Sequence, residues 1–516
     1  MLLKLPSAGV KGYNSDIDPW DLPPEFLTEG INFRVDANAV SSQGGYSKTA
    51  DAPTDYYPGF MILARTRSTT FVVMAGRDAV YAYVGQSYTD IGGGIVSLST
   101  DDEYFWGGTL SGSVLLLNNR VLYPLYWTGS GAVKELPWDI AAGLTWKDKG
   151  FTCDSLRSHK NFLLALSLHE SIDKPDSFRW SHPADENGIP FTWDETNPAG
   201  IAGIQSLGGD GGRIIDGLSL RDSFIIYSQN AIDVLDLSGD EFVWRRRSLS
   251  ATVGLLSKDC VVEVKGKHYL MTDGDIVVND GNSIVSIAHN AIQNRIKISI
   301  NTEFVDRSFA VSIDAHKEIW FCVPEGDSEN VNIAYIYQWK EQTWAIRDLP
   351  SGTAFIIAAP ESTDAEGWED ANVTWASRTD RWSDGVSRVS FDELPYGVNA
   401  VNSDLQLLQT PAPIEDLGTI LERTDLGLID QVAVTTITRL YPHIRGSEPV
   451  RIQVGSQDFP GSAVRWKPYN IFDPTKDRKV DVRTTGALHA YRVMSEGKGE
   501  FRFSGVDVEY EQDGVR

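Results

Sequence analysis

Short runs of aliphatic, aromatic and β-branched residues, broken by glycine, asparagine and aspartate, recur along almost the whole chain. Patterns with apolar positions three and four residues apart over helical lengths are nearly absent. The runs come in pairs. Residues 71–74 and 79–84 flank Gly76-Arg77-Asp78, and residues 114–117 and 121–127 flank Asn118-Asn119-Arg120, both with turn chemistry that suits a hairpin. Residues 162–168 form a similar run, and 224–227 with 231–237, 268–271 with 276–278, and 319–323 with 333–339 repeat the paired arrangement. This pattern predicts an all-β fold built from antiparallel hairpins.

The hairpins recur roughly every 40 to 55 residues, the period expected when four-stranded sheets repeat radially in a β-propeller. Trp138, Trp193, Trp244 and Trp344 stand late in successive units, where large rings fill the wedge between neighbouring sheets. Six units fit between about residues 55 and 360, and Trp375, Trp382 and residues 405–408 supply a further candidate, so about six to seven degenerate blades are expected. The repeats lack regular Trp-Asp or glycine-doublet hallmarks, and a pair of stacked β-sandwiches satisfies the same spacing. Beyond them, residues 435–440, 450–454, 463–466, 480–483, 491–494 and 501–510 alternate evenly and predict a C-terminal antiparallel β-sandwich-like domain. The expected division is 1–54, an N-terminal extended arm with a hairpin at 33–40; 55–358, the propeller; 359–430, a loop-rich segment that either links the two parts or belongs to the propeller; and 431–516, the C-terminal β domain. The arm would complete the last blade or reach a neighbouring subunit.

Charge narrows the function. The 516 residues carry 46 Lys plus Arg against 71 Asp plus Glu, a formal net charge of −25. Such a chain repels phosphate backbones and anionic lipid. No basic region followed by an apolar signal-like run opens the sequence, and no stretch has the length of a membrane span. Residence in a cytoplasm is therefore expected. Cys153, Cys260 and Cys322 are widely spaced and predict neither a disulfide framework nor a zinc site.

Candidate chemistry is sparse. In residues 181–193, Asp185, Gly188, Thr192 and Trp193 follow the order of the Asp-box turn of sialidases at loosened spacing, a feature read as a structural turn. The eight histidines show no HxH or HExxH spacing. Thr272-Asp273-Gly274-Asp275 and Asn279-Asp280-Gly281-Asn282 lack the twelve-residue calcium pattern and read as hairpin turns, and Gly208-Gly209-Asp210-Gly211-Gly212 lacks a phosphate-binding lysine. No catalytic, cofactor-binding or metal-ligating residue is assigned. Arg245, Arg246 and Arg247 form a basic cluster in a strand context, so their side chains alternate faces. Together with Trp20, Pro23 and Pro24 of the arm they are candidate subunit contacts.

Several stretches carry a family resemblance. Residues 222–235, followed by Gly254 and by residues 268–281, with the opening Leu22-Pro23-Pro24, Gly30-Ile31-Asn32-Phe33-Arg34 and Gly45-Tyr46, resemble the propeller portion of bacteriophage tail proteins. The ending Val454-Gly455-Ser456-Gln457, Asp481-Val482-Arg483 and residues 503–509 is similar in style. These are the nozzle or hub proteins of short-tailed phages, of the packaged-DNA stabilisation type. The resemblance implies a non-enzymatic virion component, synthesised in the host cytoplasm. It would form a hexameric ring below the portal and head-to-tail adaptor, with tail fibres or tailspikes as further partners. Double-stranded DNA would pass through without specific binding, and an acidic bore suits that passage. The alternative, from another class, is a carbohydrate-active or carbohydrate-binding propeller with converging carboxylates in a central pocket.

Overall fold

A computed structural model describes residues 1–51, 56–66, 69–85, 87–209, 211–238, 243–360, 393–410, 417–429, 433–496 and 499–515. The paired runs become antiparallel hairpins stacked into four-stranded sheets. Pro58–Arg65, Thr70–Gly76, Val80–Val84 and Ser87–Asp90 form the first blade, and Gly107–Ser111, Val114–Asn119, Leu122–Trp127 and Lys134–Glu135 the second. Blades three, four and five follow in the same order, opening with Thr152–His159, Ile214–Leu220 and Val261–Val264. The sixth opens with Phe309–Ile313 and ends on Thr343–Pro360, an 18-residue strand that serves two blades. Its first part pairs with Val331–Gln338. Its second part, from Thr353 onward, pairs with Glu393–Asn399, which is followed in the sheet by Leu405–Leu407 and then by Ser47–Ala50 from near the N-terminus. These four strands are a seventh blade.

Each blade's innermost strand packs against the next, and the seventh returns to the first, so the propeller is a closed ring of seven. Closure removes exposed sheet edges along the axis. The middle strands are buried on both faces: Val114–Asn119, Phe162–His169 and Glu318–Val323 are apolar almost throughout and covered by the adjoining blades. Trp193 and Trp146 meet edge to face at 5.0 Å, and Trp138 stands at 5.3 Å from Trp146, filling the wedge between blades two and three. Trp375 and Trp382 lie outside the described residues.

The C-terminal part is a β-sandwich of two six-stranded sheets. One contains Phe33–Asp36, Ala39–Ser42, Phe501–Val515, Ala433–Gly446 and Val480–Gly486, with Leu2–Pro6 also paired to Phe501–Val515. The other contains Glu29–Ile31, Ile420–Leu426, Leu488–Ser495, Val450–Gln457 and Arg465–Trp466, with Asn470–Phe472 also paired to Val450–Gln457. Val450, Ile452 and Val454 alternate inward against Val493, Phe503 and Val508. The N-terminal stretch expected as an extended arm is therefore divided. Its first 42 residues supply four strands to the sandwich, and residues 47–50 close the propeller. The segment expected as loops, 359–430, supplies Glu393–Asn399 and Leu405–Leu407 to the seventh blade and Ile420–Leu426 to the sandwich; residues 361–392 and 411–416 are outside the described set.

Two buried arginines fasten the N-terminal stretch. Arg347 donates to Gln43 Oε1 at 2.8 Å, to the Gly44 carbonyl at 2.9 Å and to the Leu408 carbonyl. Arg423 donates to the Pro19 carbonyl at 2.9 Å and to that of Leu22. Burial lowers the Arg347 guanidinium, with Arg34 adding to the effect, to about 9, so it stays charged at neutral pH. Gly12 bridges Trp344 in parallel, at φ 77°, and a Cβ there would stand 2.4 Å from the Trp344 carbonyl oxygen.

A neutral histidine stitches blades four and five, and another lies inside the sandwich. His268 donates from Nε2 to the Ser219 carbonyl at 2.9 Å, and its Nδ1 accepts from the Tyr227 hydroxyl at 2.7 Å. Asn279 donates to that same hydroxyl oxygen at 3.1 Å. Burial lowers His268 and His489 to about 4. The unfolded chain binds a proton on each near pH 6.5 and the folded chain only near pH 4. Stability is thus lost as pH falls across that window, by up to about 3 kcal/mol per ring. His169 works in the opposite sense: its hydrogen bond to Asp154 raises it, so its contribution is full below pH 6.5 and is lost as pH rises through its folded value. We predict a falling denaturation midpoint from pH 6.5 to 4 that becomes shallower in His268→Gln; an unchanged slope in that variant would contradict the assignment.

Candidate functional site

In a propeller, the residues at which the innermost strands begin converge on the axis, and here they enclose a cavity of about 90 Å3. Every blade contributes: Gly59, Trp106, Asp154, Ile215, Asp259, Phe309 and Phe355 stand at its wall. Phe355 stacks on Phe309 at 4.4 Å and meets Phe60 at 4.9 Å, so one side of the axis is aromatic.

The other side is ionic. Arg157 of the third blade donates to both carboxylate oxygens of Asp216 in the fourth, at 2.8 and 2.5 Å, to Asp259 beside the fifth at 2.6 Å, and to the Gly108 carbonyl of the second at 3.1 Å. Asp216 also accepts from Ser155 at 2.7 Å and from the Gly217 amide at 2.8 Å. Burial works to raise the Asp216 carboxyl, but the Arg157 charge and these hydrogen bonds hold it below its ordinary value. Asp154 follows the same logic. Against desolvation, hydrogen bonds from His169 and Ser167 and the charge of Arg213 hold it down at about 2. Lys258 Nζ donates to the carbonyls of Phe105 at 3.1 Å and Asp154 at 3.0 Å, and burial lowers its ammonium.

Chemically, this is a set of ionised carboxylates already bound to cations. The Ser167 and Ser155 hydroxyls donate to Asp154 and Asp216, carboxylates that cations already hold ionised. Among the described residues no group of three His, Cys, Asp or Glu side chains could hold a metal ion. Cys153, Cys260 and Cys322 are buried, and burial raises all three thiols, that of Cys260 to about 12. In the stretch with Asp-box order, Asp185 accepts from the Asn187 amide at 2.8 Å and Gly188 takes φ 75°, a turn, while Trp193 is buried against Trp146 in the wedge. Asp280 likewise accepts from the amides of Asn282 and Ser283, both at 2.8 Å. Asp210, in the glycine-dense stretch, is outside the described residues.

The sequence-derived contact residues lie elsewhere and in two separate places. Arg245, Arg246 and Arg247 sit on Trp244–Ser250, the outermost strand of the fourth blade. Arg246 turns in to buried Asp233 at 2.9 Å and to the Leu207 carbonyl. Arg247 bonds the Gly281 carbonyl of the next blade at 2.8 Å and lies 3.6 Å from Asp236. Arg245 is exposed. Trp20, half-buried, lies against Gly461 of the sandwich, and Pro23 and Pro24 are exposed next to the Leu22 carbonyl that Arg423 holds. Sequence reasoning missed the Arg157, Asp216 and Asp259 group, whose members are separated by 59 and 102 residues and form no motif.

No protein-family model and no curated protein matches the chain. It is similar to solved structures at low identity. YCF48 from Cyanidioschyzon merolae is 9% identical with a TM-score of 0.37, covering 71% of this chain and 99% of that one. BBS1N in complex with ARL6DN is 8% identical with a TM-score of 0.38, covering 73% and 99%. The extracellular domain of the putative hybrid two component system BT3049 from B. thetaiotaomicron is 7% identical with a TM-score of 0.40, covering 85% of this chain and 49% of that one. Likenesses at this level carry no functional argument, and the class, a seven-bladed β-propeller joined to a β-sandwich, rests on the strand order itself. Among the described residues no helix is long and apolar enough to cross a membrane.

Proposed function

We propose that the protein is a structural component of a phage tail, of the short-tail nozzle or hub type, forming a hexameric ring below the portal and adaptor through which the genome passes. The reading starts from the sequence resemblance, and one observation supports it over a carbohydrate-active propeller. At the axial mouth, the cavity of about 90 Å3 is well below the roughly 300–1,000 Å3 of ordinary small-molecule pockets. Glycoside hydrolysis needs one carboxyl held protonated. Asp154 and Asp216 are held ionised instead. The ionic group ties blades two to five together, a scaffold's use of charge. With −25 per chain, a bore lined by this protein repels DNA and gains nothing from counterion release.

Electron cryo-microscopy of the virion tail tests the proposal. We expect six copies in a ring beneath the adaptor, with an acidic bore. Absence of the chain from the tail overturns it, as does hydrolysis of a cell-surface glycan by the purified protein that a single Asp or Glu substitution abolishes.

A further inference from the structure

Not every donor around the axial cavity is spent on the protein. Arg157 is saturated by Asp216, Asp259 and the Gly108 carbonyl. Arg120, at the turn after Val114–Asn119 in the second blade, stands at the cavity wall with its guanidinium over the Phe105 ring at 4.5 Å. Among the described residues that guanidinium donates to no carboxylate or carbonyl. Arg213, which leads into the fourth blade, bonds Asp154 through one nitrogen and is otherwise exposed. Lys258, which leads into the fifth, gives two of its three N–H groups to the Phe105 and Asp154 carbonyls, and among the described residues no carboxylate lies within ion-pair distance of it. Ser308, which leads into the sixth, is 2% exposed, and its hydroxyl has no partner among the described residues. All four side chains belong to the same wall.

A buried hydroxyl without a partner is costly, and so is a desolvated ammonium held by carbonyls alone. An acceptor carrying negative charge satisfies both. The geometry points to the axial mouth as a binding site for one small oxyanion, and we propose that it takes inorganic phosphate on Arg120, Arg213, Lys258 and Ser308. The size agrees, since about 90 Å3 is about three times the volume share of a water molecule, enough for one such ion and too little for a nucleotide. The arrangement agrees as well. The donors come from the second blade and from the entries to the fourth, fifth and sixth, a spread around the cavity that suits a tetrahedral ion, whereas a carboxylate is best held by two parallel donors from one side. Four cations line the wall, Arg307 being the fourth, against Asp154, Asp259 and Asp306, a local cationic excess on a chain of net −25. Asp154 and Asp259 are already bound to guanidinium groups, and Asp306 is exposed to solvent, which screens it. The inference stands apart from the ring reading above.

Isothermal titration calorimetry of inorganic phosphate into the purified full chain, in a phosphate-free buffer of low chloride, tests this in wild type, Arg120→Gln and Ser308→Ala. Ser308→Ala removes a hydroxyl that bonds nothing in the protein, so its unfolding without phosphate is expected to match the wild type. The same measurement confirms the fold of Arg120→Gln. One equivalent of phosphate is expected to bind with Kd about 1 mM or lower. Affinity should fall by about tenfold or more in Arg120→Gln and about threefold or more in Ser308→Ala, and acetate should bind more weakly than phosphate. Phosphate should also raise the unfolding midpoint of the wild type. Absence of saturable binding at about ten times that concentration overturns the inference, and so does equal affinity in all three proteins. Acetate bound as tightly as phosphate would assign the site to a carboxylate and overturn it. A DNA duplex that competes with phosphate would assign the donors to a nucleic-acid backbone, with the same result.

Discussion

Deleting residues 1–51 leaves no folded protein. The deletion removes the outermost strand of the seventh blade, Ser47–Ala50, and with it the pairing that covers Leu405–Leu407. It also removes Leu2–Pro6, Phe33–Asp36 and Ala39–Ser42 from one sheet of the sandwich and Glu29–Ile31 from the other. Phe33, Val35 and Val40, each almost wholly inaccessible to solvent, leave the core. Arg347 loses Gln43 and the Gly44 carbonyl and keeps only that of Leu408, and Arg423 loses the carbonyls of Pro19 and Leu22 and keeps only that of Thr424; a buried cation stripped of most of its partners is strongly destabilising. Exposed strand edges then favour aggregation. The expected observation is insoluble protein or a chain without a cooperative unfolding transition, whereas a flexible arm could be cut away at little cost. A soluble truncated chain with the parent's near-ultraviolet dichroism would refute this account. Gly12→Val probes the same dependence with one residue, since its Cβ would collide with the Trp344 carbonyl at a backbone angle valine rarely adopts.

Asp216→Ala carries the second largest effect. It leaves Arg157 buried with only Asp259 and the Gly108 carbonyl, and breaking a buried ion pair by removing one partner costs about 3–5 kcal/mol. Chemical denaturation followed by tryptophan fluorescence reads the loss. Replacing both partners by apolar residues, Arg157→Met with Asp216→Leu, is expected to recover part of it, because the buried guanidinium is gone and the carboxylate that then loses its cation, Asp259, is the less buried of the two. A loss below about 1 kcal/mol in the single variant would mean that the pair is not desolvated as described. The carboxylate also sets a pH signature. Its folded value lies below its ordinary one, so its contribution is present above the unfolded value near pH 4 and is lost on acidification below that. The histidines act between pH 6.5 and 4, so the two contributions separate along the pH axis.

Much of the propeller is legible residue by residue. The runs at 71–74 and 79–84 are the second and third strands of the first blade, and Asn118-Asn119-Arg120 lies at the turn between Val114–Asn119 and Leu122–Trp127. Trp138 and Trp193 take the wedge positions their spacing suggests. The basic cluster was legible as a cluster, and alternation of its side chains sends Arg246 inward to Asp233. What it pairs with was not legible. Nor was the axial group, since nothing near Arg157 in sequence marks Asp216 or Asp259 as its partners.

Pattern along the chain is enough to show antiparallel hairpins, their repetition and an excess of acidic residues. Those properties depend on neighbours a few residues apart, where alternation and turn chemistry act. The count of seven blades, the closing of the ring by residues 47–50 and the place of residues 1–42 in the sandwich follow from contacts between distant strands. So does the neutralisation of the axial carboxylates. Strand alternation states which face is buried but not which distant strand lies alongside. Closure and charge pairing are therefore settled by contacts between residues such as Gln43 and Arg347, 304 positions apart.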